Sequence, residues 1–250
     1  MIGHSLDSAF YFLVQGLVLC LLGLSVYKGL WKRLKSVSAY LLALFLIDGI
    51  GRQWVLGRFG YSSLQYFYFY YLTDAILALG AFLLVCTFFR RACAQQERMW
   101  QYVRLILPCV FFLVFGISGF SLTENYNHLF SSFMVEFEQN LYFTCLVLNT
   151  LLYILMQQTD STDNELGLLV CGMGLQFAGP AASYALRHLT LGLGLTADLV
   201  HFIGPVCTLG MLSTWVYALA FKPKTARVPV SDGLIPALAA GKAAKRLRVI

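Results

Sequence analysis

AFYFLVQGLVLCLLGLSVYKGLWKRLK, residues 9–35, opens on an uncharged apolar run, Ala9–Tyr27, and closes on Lys28, Lys32, Arg33 and Lys35. A helix of roughly 20 apolar residues crosses the hydrocarbon core of a bilayer. Lipid offers no hydrogen-bond partners, so a single spanning segment of this kind must be α-helical. The flanks are wrong for a cleaved signal peptide, because residues 1–8 hold no Lys or Arg and the basic residues follow the apolar run. Positive charge after the span predicts an outer N-terminus and a cytoplasmic first loop.

Six more apolar runs follow, near 37–56, 64–89, 105–122, 140–156, 166–186 and 198–221. Arg90, Arg91, Arg98 and Arg104 form a second basic group, read as a cytoplasmic loop, and Lys222, Lys224, Arg227, Lys242, Lys245, Arg246 and Arg248 make the tail basic. The segment with Glu124, Glu136 and Glu138 reads as an outer loop. One inner segment departs from the pattern, since it holds Asp160, Asp163 and Glu165; acidic residues weigh little in the orientation rule. The expected fold is therefore an all-α, polytopic integral membrane bundle of seven helices, N-terminus outside and C-terminus cytoplasmic. Residues 1–222 form the membrane domain and 223–250 a basic cytoplasmic tail. The expected location is the plasma or cytoplasmic membrane.

Composition agrees. The chain of 250 residues is 59% hydrophobic and 12% charged, with a mean hydropathy of +0.71. Soluble domains carry about 25% charged residues. The net charge of +6 gathers at span ends, which membrane orientation explains and nucleic-acid binding does not. Six of the seven cysteines (Cys20, Cys86, Cys109, Cys145, Cys171 and Cys207) fall in apolar runs without a CxxC pair and read as small buried hydrophobes. Trp31, Tyr40, Trp100, Tyr102, Trp215 and Tyr217 fall near the inner interface, Trp54, Tyr61 and Tyr66 near the outer one. On span six, Ala178 with Ala182 and Gly179 with Ser183 have the spacing of small residues at a helix contact. Pro180 and Pro205 are placed to kink their helices, whereas Pro108 reads as lying near a helix start. Asp74 with Gly80 and Asp198 with Gly204 repeat the pattern D-x5-G, a weak hint of parallel repeats.

A charge in mid-membrane costs about 2.5–3.5 kcal/mol on insertion scales, so such residues are functional candidates. Asp48 and Arg52 are four apart, on one face of span two. Asp74 enters the next span to a similar depth, which lets Arg52 bridge both carboxylates; a structural ion pair accounts for the three equally well. Asp198 and His201 share a face of span seven. Asp48, Arg52, Asp74, Asp198 and His201 form the expected polar wall of a ligand site, with Trp54, Tyr70 and Tyr71 as aromatic lining. Asn149 and Gln176 read as interhelical hydrogen-bonding residues.

Span seven has no lysine before Lys222 for a retinal Schiff base, and GxSxG, HExxH and GxxxxGK[ST] are absent. No metal site, catalytic group or cofactor is indicated. The expected function is a non-enzymatic, sensor-like ligand-binding module whose pocket opens in the outer half of the bundle. The alternatives are a small-solute or proton-coupled transporter and an accessory subunit of a larger membrane complex. The expected partners are the lipid bilayer, a small molecule and another membrane protein, not nucleic acid.

Overall fold

The apolar runs are helical, and the helices outlast them by a turn or more at most ends. The computed structural model describes residues 2–60, 63–120, 129–158, 163–189 and 195–220, with side chains for all of these except 2–8, 32, 95, 97, 129–132, 187–189 and 195–201. Its seven long helices are α1 (Ile2–Tyr27), α2 (Lys35–Phe59), α3 (Leu64–Ala92), α4 (Glu97–Phe120), α5 (Leu129–Gln158), α6 (Asn164–Leu189) and α7 (Leu195–Ala220). Each holds a stretch long and apolar enough to cross a membrane. The chain is thus a multi-pass helical protein of membrane-spanning composition. Residues 223–250 lie outside the described residues.

Neighbours in sequence pack side by side, and α1 closes against α7. Helix α3 touches α2, α4, α5 and α6 and is the most enclosed of the seven. Helix α4 packs on α5 and α3, and most of its remaining surface faces outward. Because lipid is as apolar as a leucine side chain, close packing and hydrogen bonds must hold such helices together. The tightest pair is α6 with α7. There Gly172 lies under the ring of Trp215, where a Cβ would come within 2.7 Å of the indole. Two turns on, a Cβ on Gly179 would come within 2.9 Å of Cys207. Trp215 is fully buried, donates from Nε1 to the Leu169 carbonyl at 3.1 Å and meets Tyr40 edge-on at 6.3 Å. Polar links tie the other helices. The Ser25 and Ser38 hydroxyls lie 2.7 Å apart between α1 and α2. Asn140 donates to Ser118 at 3.1 Å between α5 and α4, and Asn149 to the Val170 carbonyl at 3.0 Å between α5 and α6.

Four expectations need correction. Helix α4 starts at Glu97, so Pro108 is interior to it and the loop before it spans little more than the 3-10 turn Cys93–Gln95. Helix α5 starts at Leu129, which places Glu136 and Glu138 on a helix and not in a loop. Tyr40 and Trp215 belong to the core, not to an interfacial belt, whereas Tyr102 and Tyr217 are exposed. Of the cysteines, Cys20, Cys109 and Cys171 face outward; an apolar thiol is as well placed against lipid as in a core.

Candidate functional site

Helix α2 is not a uniform α-helix. From Phe45 to Gly51 it widens into a π-helical turn, FLIDGIG, and the Arg52 N–H reaches back to the Ile47 carbonyl. Such turns are rare and recur at functional sites. Neighbours on both sides occupy the space that glycine leaves. A Cβ on Gly49 would meet Oε1 of Gln15 from α1 at 2.8 Å, and one on Gly51 would meet Phe69 from α3 at 3.0 Å. The Tyr11 hydroxyl of α1 donates to the Gly49 carbonyl at 3.0 Å, supplying a partner to backbone that the wide turn exposes.

This turn presents Asp48 and, at its end, Arg52. Arg52 Nη1 lies 3.0 Å from Asp48 Oδ1, and Nη2 donates to Asp74 Oδ1 of α3. One guanidinium thus joins two carboxylates from two helices, as the sequence predicts. The Asp48 contact is one of charge only, since its Oδ1 accepts no aligned hydrogen bond among the described residues. The Arg52 guanidinium lies 4.5 Å from the centroid of Tyr70, and the Tyr70 hydroxyl approaches Asp74. All three charged side chains are about three-quarters buried. A cation over a partly desolvated ring gains about 0.5–2 kcal/mol.

A fourth charged group joins from α5. Glu138 is 9% exposed and lies within electrostatic reach of both Asp74 and Arg52. Tyr142, one turn further along α5, feels Glu138, Asp74 and Tyr40. Three helices therefore each contribute a carboxyl: Asp48 and Asp74, each with a partner four residues away in Arg52 and Tyr70, and Glu138, which acts on Tyr142 electrostatically only. The loop expectation for 124–138 hid Glu138. The spacing of Phe133, Phe137 and Leu141 carries the helix back past residue 140 and was the available signal.

No protein-family model matches this chain, and no characterised protein or solved structure matches it either. What the site can do rests on its own geometry.

The other expected lining residues are dispersed or outside view. Trp54 is 62% exposed and points away from the cluster, with Arg58 5.8 Å from its ring. Tyr71 packs on Phe67 at 4.6 Å and on Tyr70 at 5.7 Å, behind the ring that touches Arg52. The side chains of Asp198 and His201 lie outside the described residues. Their helix, α7, packs chiefly on α6 and α1. Asn149 does hydrogen-bond between helices, as expected, while Oε1 of Gln176 finds no partner among the described residues.

A second polar group sits at the opposite end of the bundle. Arg33 lies 3.0 Å from Glu165, and Arg91 lies 2.7 Å from Asp163 and 3.8 Å from Glu165. Lys28 donates to the Leu219 and Ala220 carbonyls at 2.7 and 2.9 Å, where α7 leaves its last carbonyls without helical partners. Asp163 also caps α6, accepting from the Leu166 N–H at 3.3 Å. Asp163 and Glu165, which broke the charge pattern, are therefore partners of the basic residues around them.

Proposed function

We propose that this protein is a non-enzymatic, ligand-binding membrane module, oriented with its N-terminus outside and its C-terminus in the cytoplasm. The ligand site is built on Asp48, Arg52, Tyr70, Asp74 and Glu138 in the outer half. Residues 223–250 serve as a cytoplasmic basic tail, and the host membrane is the plasma or cytoplasmic membrane. One observation carries the reading: charges from α2, α3 and α5 converge at one depth, on a π-helical turn, while the other half of the bundle is packed with apolar side chains such as Leu41, Leu84, Leu152, Met173 and Trp215. A purely structural pair needs two charges, whereas this site gathers four and widens a helix to do so. Binding sites combine apolar walls with a few convergent polar groups.

The transporter reading has one observation behind it. The end opposite the cluster is closed by side-chain ion pairs, which can break and re-form, and not by apolar packing alone. The two readings part in one experiment. Purified protein is screened for small molecules that raise its unfolding temperature, with Arg52→Gln and Asp74→Asn as controls, and hits are then tested for uptake into proteoliposomes. Sensing predicts stabilisation that both substitutions abolish and no uptake. Hits that stabilise wild type and both variants alike would place the ligand elsewhere and refute the site.

A further inference from the structure

We infer that the ligand of this cluster is positively charged, a proton or a small monovalent cation, and that Glu138 is the group that receives it. The inference rests on the ligand-site reading above and names its chemical class.

It starts from a count of charges. Three carboxyls, Asp48, Asp74 and Glu138, share the site with one guanidinium, Arg52. The described titratable groups around Glu138 are Asp74 and Tyr70 of α3, Arg52 of α2, Tyr142 of its own helix and, beyond Tyr142, Tyr184 of α6. Among the described side chains none adds a second positive charge. Helix α4 faces this part of α5 with the neutral Ser118, bonded to Asn140. With all its described groups ionised, the cluster would therefore be two negative charges in excess, in a region where even one uncompensated charge costs several kcal/mol. Arg52 already gives Nη1 to Asp48 and Nη2 to Asp74, and its Nε has no partner among the described residues.

Glu138 is the carboxyl left over. It is nine-tenths buried and belongs to none of the ion pairs among the described residues, although it lies within electrostatic reach of Asp74 and Arg52. Buried polar groups in native proteins nearly always have partners, so a buried carboxyl outside every ion pair deserves an occupant. Unpartnered polar atoms also lie on the far side of the π-helical turn. Oε1 of Gln15, equally buried, accepts no hydrogen bond and rests against Gly49, next to Asp48. Around the turn, Gln15 Oε1 and Asp48 Oδ1 are unpartnered acceptors and Arg52 Nε an unpartnered donor, so the sign of the ligand rests on the charge count. Among the described residues no three His, Cys, Asp or Glu side chains converge as a metal set, which favours a singly charged ligand over a divalent metal. Proton uptake needs no further reagent: water supplies the proton, and the Glu138 carboxylate becomes a neutral carboxylic acid.

The test uses the full chain in lipid nanodiscs. Its unfolding temperature is followed from mildly alkaline to mildly acid pH, then at fixed pH with sodium, potassium or tetramethylammonium chloride at constant ionic strength. A ligand bound only by the folded state raises that temperature. Wild type should gain several degrees on acidification if the ligand is a proton, or with one of the salts if it is a cation. Glu138→Gln, neutral at every pH, should remove the response, and Glu136→Gln should keep it. A response that survives in Glu138→Gln, or a wild type indifferent to both pH and salt, overturns the inference. If Glu138→Gln does not fold, difference infrared spectra of wild type and Glu138→Asp decide. Proton or cation addition should change a carboxyl band that the Asp variant shifts, and an unchanged spectrum overturns the inference. Neither failure touches the ligand-site reading, which falls only if stabilising molecules ignore Arg52 and Asp74.

Discussion

Arg52 holds its place through three neighbours at once: Asp48 on its own helix, Asp74 on α3 and the ring of Tyr70. Removing it leaves two carboxylates, each about three-quarters buried, facing each other without a cation. Breaking a buried pair by deleting one partner costs about 3–5 kcal/mol, and partial exposure brings this site to the lower end of that range. Arg58 is the penultimate residue of α2, exposed, with the ring of Trp54 beside it. Arg52→Ala should therefore lower the unfolding temperature in detergent by several degrees more than Arg58→Ala, and equal losses would show that the cluster contributes nothing to folding. Asp48, Arg52 and Asp74 were legible in the sequence because a charge inside an apolar run is conspicuous and the i, i+4 spacing shares a face. Glu138 was not, because Glu124 and Glu136 surround it with loop-like composition. Only the aromatic period through Phe133 and Phe137 tells that the helix continues.

Among the elements, α2 and the α6–α7 pair show two uses of glycine. In α2, Gly49 and Gly51 let neighbouring helices press against a widened turn that the residue pattern of an ordinary helix does not announce. Sequence periodicity therefore predicts the existence of α2 and its apolar character but not the π-helical turn that carries Asp48. In α6, Gly172 and Gly179 seat Trp215 and Cys207. Small-residue spacing paired Gly179 with Ser183 and Ala178 with Ala182; Gly179 does meet α7, together with Gly172 seven residues back, whereas Ala182 faces outward. Trp215 cannot yield easily, since it is fully buried and hydrogen-bonded to Leu169. Overpacking a tight core costs about 1–3 kcal/mol. Gly172→Ala should thus destabilise the protein by roughly that amount. Gly16→Ala and Gly23→Ala, where no atom lies within 4 Å of the new methyl group, should be neutral or mildly stabilising. Thermal unfolding of the three variants side by side checks this, and a loss shared by all three would point to backbone effects instead of the α6–α7 contact.

For the whole molecule, the end that carries Lys28, Arg33 and Arg91 also carries Asp163, Glu165 and the last carbonyls of α7. Four chain segments are tied there, so the alternation of basic and less basic segments read from the sequence corresponds to one physical face of the bundle. Exchanging the charges tests the tie. Arg91→Asp and Asp163→Arg should each destabilise the fold, and the double variant should recover part of the loss, as a double-mutant cycle on contacting residues does. The orientation of that face follows from the positive-inside rule, which counts Lys and Arg near span ends and gives little weight to acids. Pairing with Asp163 and Glu165 therefore does not cancel the orienting effect of Arg33 and Arg91. In a background lacking the seven native cysteines, a cysteine at position 33 should stay unlabelled by a membrane-impermeant maleimide applied to intact cells, and react after permeabilisation. A cysteine at position 65, exposed at the start of α3, should react without permeabilisation. The reverse pattern would invert the bundle. The Arg52 cluster would then open toward the cytoplasm, and the outer-facing ligand site would be lost, although the charge count at Glu138 would be unchanged.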